Sequence, residues 1–351
     1  MTGIMSSRTT VIIGVVGLIA VIGLTFVLEP FRNYQLATIA AYLCAVAGLT
    51  MLTGVNGQLS LGHAALMACG AYCYAFTANG LAEQEIEGPV LLIVPIIAAV
   101  VGATVLGLVI GLAAARLHGP YLAGVTLAFV IALPAVTSRF SDVFGGDQGL
   151  WITVERRPEF LAGRGGTEMF QAWVAIACAA VVVVLLRNLM RSNFGRQMRA
   201  VRDNEVAAAL AGINVARTKV IAFTVSSAAA GIGGAVMAFM TQSASPGAFN
   251  LFISLFLLMA AVIGGIGTLY GALWGSILLV VLPDVIGSIT RGLSLSPEVA
   301  QRLDGNLAVG LFGAVMVLVV IVAPFGIQGL VRKAGHQIRS RGSLQSAPHP
   351  K

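Results

Sequence analysis

Long apolar stretches separated by short polar joints run through this chain almost to Val331. An α-helix needs about 20 such residues to cross the hydrocarbon core of a bilayer. Ten segments are predicted to do so, at 11–28, 34–55, 58–79, 90–115, 119–137, 171–190, 218–240, 250–266, 271–290 and 305–325. The third is interrupted by Gln58, Ser60 and His63, and the ninth by Gly271, Gly275 and Asp284, so these two are the least regular. The first ends in Glu29-Pro30 and not in a small-residue cleavage site, so it is expected to be a retained span and not a secretory signal. The expected fold class is all-α, a polytopic helix bundle in a membrane, with residues 1–331 as one transmembrane domain. Residues 332–351 read as a basic, Ser- and Pro-containing, disordered cytoplasmic tail.

Composition agrees with that reading. Hydrophobic residues make up 58% of the chain, charged residues only 10%, and the mean hydropathy is +0.92, whereas soluble domains are about 25% charged. The 42 glycines exceed the usual share, as expected where helices approach closely in lipid. A net charge of +7 could suggest nucleic acid, but the basic residues flank apolar spans, which points to membrane orientation instead. Cys44, Cys69, Cys73 and Cys178 lie inside apolar runs, and His63, His118, His336 and His349 are scattered. Neither set has metal-ligand spacing.

One stretch, Arg187 to Lys219, is polar and strongly basic. Arg187, Arg191, Arg196, Arg199, Arg202, Arg217 and Lys219 stand there against Asp203 and Glu205. Lys and Arg resist translocation, so this stretch belongs in the cytoplasm. With ten spans both termini then lie there too, and fourteen of the 21 basic residues fall on the inner side. Asp203 and Asn204 can cap a helix start, and Glu205 suits the positive end of its dipole. Val206 to Ala211 is helix-compatible, and Gly212 followed by Ile213 suits a left-handed stop. On the other side, the connection 138–170 carries FGGDQGLW, expected either to shield the bundle or to meet a partner.

Catalytic chemistry has no foothold. The lysines, Lys219, Lys333 and Lys351, are not in a phosphate-binding GxxxxGK[ST] setting, and no nucleophile triad or paired intramembrane carboxylates occur. Any work must be driven by an ion gradient or by a separate ATPase. Gradient-driven carriers bury ionisable residues in mid-membrane, and the nearest case here is Asp284, beside Pro283, where the span is expected to break toward the outside. That scarcity favours a partner-driven machine. Two patches interrupt the apolar pattern. Asn56, Gln58, Ser60 and His63 must pair with neighbours or line a wet path, so the patch is either a broken helix on a translocation path or a tight turn at the cytoplasmic surface. Gly264, Gly265, Gly267, Gly271 and Gly275 allow close helix approach, within the bundle or against a second permease. Gly231–Gly234 offers a similar face.

Four segments in order, GQLSLGHAA (57–65), FGGDQGL (144–150), FGRQMRAVRDNEVAAALAGINVARTK (194–219) and SP…LLMAAVIGGIGTLYG (245–271), resemble permease subunits of branched-chain amino acid ABC importers of the LivM type. The likeness spans roughly Tyr34 to Gly329. It implies a transmembrane permease domain paired with a homologous LivH-type permease, two cytoplasmic ABC ATPases and a periplasmic binding protein, in a bacterial inner membrane, with no cofactor, metal or catalytic residue of its own. The loop at about 191–217 then resembles the ATPase-coupling element, with Arg199, Arg202, Glu205, Ala207, Ala208, Gly212 and Asn214 as its candidate residues. Val206 departs from the pattern by separating the Glu from the Ala pair. Without the resemblance, a basic loop that only sets topology fits the residues equally well. The same architecture resembles importers of urea, short amides and aromatic acids. A stand-alone secondary carrier or channel is the rival from another class.

Overall fold

A computed structural model describes residues 7–86, 88–117, 120–152 and 166–292, with 310, 313–314 and 326–329 near the C-terminal end. The predicted tenth span, the tail and the middle of the 138–170 connection lie almost wholly outside the described residues.

Among the described residues, nine long helices coincide with the first nine predicted segments. They are α1 (Ser7–Thr25), α2 (Pro30–Leu49), α3 (His63–Ala82), α4 (Val90–Ala114), α5 (Pro120–Arg139), α7 (Thr167–Arg191), α10 (Val215–Thr241), α11 (Leu251–Gly265) and α12 (Leu269–Gly292). Between them lie the short helices α6 (Ser141–Phe144), α8 (Asn193–Asp203) and α9 (Glu205–Leu210), and two two-residue strands, β1 (Leu150–Trp151) and β2 (Ser243–Ala244). Among the described residues, six helices are long and apolar enough to cross a membrane by length and composition. The chain is thus an all-α, multi-pass membrane bundle.

Two predicted segments differ in detail. The third helix starts at His63 and not at 58, because α2 passes into a π-helical turn (Thr50–Val55) and the chain then runs non-helically to Gly62. The ninth does not break at Pro283. Helix α12 continues through it to Gly292, and Asp284 sits 3.4 Å from Arg32 of α2, so this carboxylate is paired across the bundle.

Helix α10 is the axis of the bundle and packs against α2, α3, α4 and α7. Its neighbours present small residues to it. Ala99, Ala103, Gly107 and Ala114 of α4 are buried, while Val101, Val105, Val109 and Leu112 on the opposite face are exposed. Side-chain size, and not polarity, therefore distinguishes inside from outside. That is expected where lipid is as apolar as leucine and association relies on close van der Waals fit. A Cβ at Gly234 would lie 1.8 Å from the Met67 carbonyl oxygen, and one at Gly231 would lie 2.3 Å from the Ala103 Cβ. The Gly231–Gly234 face, offered from sequence as a surface for a second permease, is filled by this chain's own α3 and α4.

Connections cluster at two ends. At one end Arg202 meets Gly54, the backbone of Gly54 packs against Gly267, and Arg116 shares a groove with Arg217. At the other, β1 pairs antiparallel with β2, Leu150 opposite Ala244, and Asn79 Nδ2 donates to the Trp151 carbonyl at 2.8 Å. The FGGDQGL segment thereby forms a small closure. Its Gly149 has φ +75, and a Cβ there would lie 2.1 Å from the Ala244 carbonyl oxygen. Phe144 packs edge-on to Tyr72 with ring centroids 5.3 Å apart.

Candidate functional site

The basic stretch is folded. Helix α7 runs on to Arg191, and Ser192 caps α8 by accepting from the amides of Phe194 and Gly195 at 3.2 and 3.4 Å. Met198 and Val201 are buried and seat α8 on the bundle. Arg199 donates to the Met190 carbonyl at 3.1 Å. Arg202 donates from Nη1 to the Gly54 carbonyl at 2.7 Å, and its Nε and Nη2 meet Asp203 Oδ1.

Asn204, and not Asp203, begins the next helix. Its Oδ1 accepts from the Ala207 amide at 3.0 Å, while Asp203 is the last residue of α8. The stop at the other end is a Schellman turn. Gly212, at φ +82, donates its N–H to the Ala209 carbonyl, and the Ile213 N–H reaches back to Ala208, both at 3.0 Å. Asn214 then caps α10 by accepting from the Arg217 amide at 2.9 Å.

Two features of α9 escape local sequence analysis. Glu205 Oε1 lies 2.6 Å from Nζ of Lys219, whose side chain is only 5% exposed. Lys219 is therefore an internal anchor, although its sequence setting marks it as one more surface cation. Ala208 is buried, while Val206 and Leu210 are 70% and 86% exposed. These two sit four residues apart on one face, a spacing that could have flagged them. With Glu205 turned in to Lys219, Val206, the residue that departs from the family pattern, heads the outward apolar face.

The polar patch at Asn56, Gln58, Ser60 and His63 divides in two. Ser60 Oγ is 3.0 Å from His63 Nδ1, and His63 Nε2 is 2.8 Å from Ser226 Oγ, so the imidazole bridges the start of α3 to the middle of α10. Ser254 reinforces the site by donating to the Leu61 carbonyl at 2.5 Å. Asn56 and Gln58 are equally buried, yet all four of their side-chain amide atoms lack a hydrogen-bond partner among the described residues. The glycines of the patch Gly264–Gly275 lie where α11 meets α12. A Cβ at Gly264 would be 1.8 Å from the Gly271 carbonyl oxygen and one at Gly275 would be 2.0 Å from that of Ala260. Gly265 and Gly267 carry positive φ in the turn between the helices.

The geometry is that of a multi-pass membrane helix bundle, with a short helix anchored through Glu205 and Ala208 at one end and a break in the helical path beside it. The family described as "Branched-chain amino acid transport system / permease component" matches residues 32–320, and the chain belongs to it. The chain is 27% identical over 316 residues to the high-affinity branched-chain amino acid transport system permease protein LivM of Escherichia coli K12, covering 83% of this chain and 68% of the relative. A probable LivM of Methanocaldococcus jannaschii is 25% identical, with 80% and 78% covered. The LivH permease protein of Escherichia coli K12 is 24% identical, with 87% and 96% covered. No solved structure matches the chain.

Proposed function

We propose that this permease forms one half of the membrane pathway of an ABC importer for branched-chain amino acids, and that α9 is the point at which separate ATPase subunits drive it. The other half is a LivH-type permease. A periplasmic binding protein delivers solute, and the complex sits in a bacterial inner membrane with ten spans and both termini in the cytoplasm. The names of the relatives support the solute assignment. Urea, short amides and aromatic acids are the alternatives within the same architecture.

The exposed Val206–Leu210 face carries the coupling reading. A six-residue helix with large aliphatic side chains turned outward is stable only if anchored from behind, and the Glu205–Lys219 pair and buried Ala208 supply that anchorage. An apolar helix face of this kind suits a groove on a partner, and the surrounding arginines suit acidic residues at its rim. A loop that only set topology would have no use for either the anchor or the apolar face.

Replacement of Gly212 by Val tests the reading. A Cβ at Gly212 meets nothing within 4 Å of this chain, so packing inside the permease is untouched, while φ +82 is strongly disfavoured for a β-branched residue. Uptake by the assembled importer should fall while the amount of permease in the membrane holds. Normal uptake by Gly212→Val would end the coupling assignment. Solute crossing liposomes that contain the purified chain alone would replace it with the stand-alone carrier.

A further inference from the structure

The cytoplasmic arm touches the break in the α2–α3 path at one side chain, and the contact has two parts. The Arg202 guanidinium donates to the Gly54 carbonyl at 2.7 Å, within the π-helical turn. Its aliphatic stem lies over Gly57, where φ is +78 and a Cβ would come within 2.7 Å of Arg202 Cγ. Gly54 in turn is pressed against Gly267, so the turn is clasped between the arm and the α11–α12 corner.

The clasped segment is poorly satisfied. Thr50 Oγ1 and the side-chain amides of Asn56 and Gln58 are buried without a hydrogen-bond partner among the described residues, whereas Thr53 donates to the Gln58 carbonyl and Ser60 meets His63. Buried polar groups left unpaired are costly, and a segment that carries several of them gains by any rearrangement that supplies partners. π-helical turns are themselves rare and concentrate where helices must change shape. We infer that residues 50–62 are the element that moves in transport and that Arg202 is the positioning residue that transmits the movement of α8 and α9 to it. In the second arrangement, Asn56 and Gln58 meet water or the polar groups of the solute. Arg202 thus faces the break at Gly54 and Gly57, whereas Val206 and Leu210 face the partner.

This inference rests on the coupling reading, and hydrogen exchange separates the two. The probe is the assembled importer in lipid, with and without ATP. In the wild type, ATP should change exchange both over α9 (205–213) and over the break (50–58). In Arg202→Gln the α9 response should persist, while the break response shrinks by about tenfold, the equilibrium effect of losing one charge-assisted hydrogen bond. Gly57→Ala, which drives a methyl into the Arg202 stem, should produce the same split by a different route. Arg202→Lys, which keeps one donor, should restore part of the response. If the break still responds fully in both Arg202→Gln and Gly57→Ala, Arg202 is not the transmitter. A wild type in which α9 itself ignores ATP would instead remove the coupling reading beneath it.

Discussion

Removing either partner of the Glu205–Lys219 pair should have unequal effects, and the inequality can be worked out from burial. Lys219 is 5% exposed and Glu205 40%. In Lys219→Met a side chain of similar length fills the buried space, and Glu205 turns to water. The loss is then that of one charge-assisted hydrogen bond, about 1.5 kcal/mol at the low end of the range because one partner is already half in solvent. In Glu205→Ala the ammonium stays buried with its partner gone. Breaking a fully buried pair costs about 3–5 kcal/mol, and the ability of a long lysine stem to reach the membrane surface lowers this to roughly 2–3. At about 1.4 kcal/mol per decade, local opening of α9 should rise roughly 10-fold in Lys219→Met and ~30- to 100-fold in Glu205→Ala. The amides to follow are those of Ala208, Ala211, Gly212 and Ile213, each bonded within the α9 turn. Hydrogen exchange on the purified permease in lipid reads them directly. The double variant should lie close to Lys219→Met, since the orphaned charge is gone. Equal and additive effects, or a larger effect from Lys219→Met, would show that the pair does not anchor α9.

Two further outcomes concern the bundle. His63→Ala should leave both Ser60 and Ser226 without their imidazole partner inside the bundle, lowering stability by about 1–3 kcal/mol. Thermal unfolding of the detergent-solubilised protein checks this, with an unshifted midpoint counting against it. Gly264→Val would drive a side chain into the Gly271 backbone, and α11 could no longer sit on α12. Folded protein recovered from membranes should drop sharply, whereas the same change at Gly80, where a Cβ meets nothing, should be tolerated apart from helix propensity.

Much of this was legible in the linear chain, and the reason is range. Spans are recognisable because a run of about 20 apolar residues must be helical in lipid whatever surrounds it. The start of α9 at Asn204 and its stop at Gly212 were readable because capping is settled within four residues along the chain. Asp203 and Asn204 were equivalent candidates on that basis. Docking of α8 through Met198 and Val201 used up Asp203 as its last residue and left Asn204 to cap.

Only the tertiary structure decided which partner each polar or small residue takes. Arg202 and Gly54 are 148 positions apart, and His63 and Ser226 are 163 apart. No local pattern encodes such pairings. The glycine stripes show the same limit from another side. Close approach requires small residues whether the neighbour is this chain or a second permease, so their spacing announces a contact without naming it. Packing of α3 and α4 on Gly231–Gly234, and of α12 on Gly264, assigned those contacts to this chain itself. The sequence alone set where the helices form, though not the start of α3 or the passage of α12 through Pro283, because hydrogen bonds must close locally in lipid. Which faces meet was left to the fold, since in an apolar solvent polarity carries almost no information about direction.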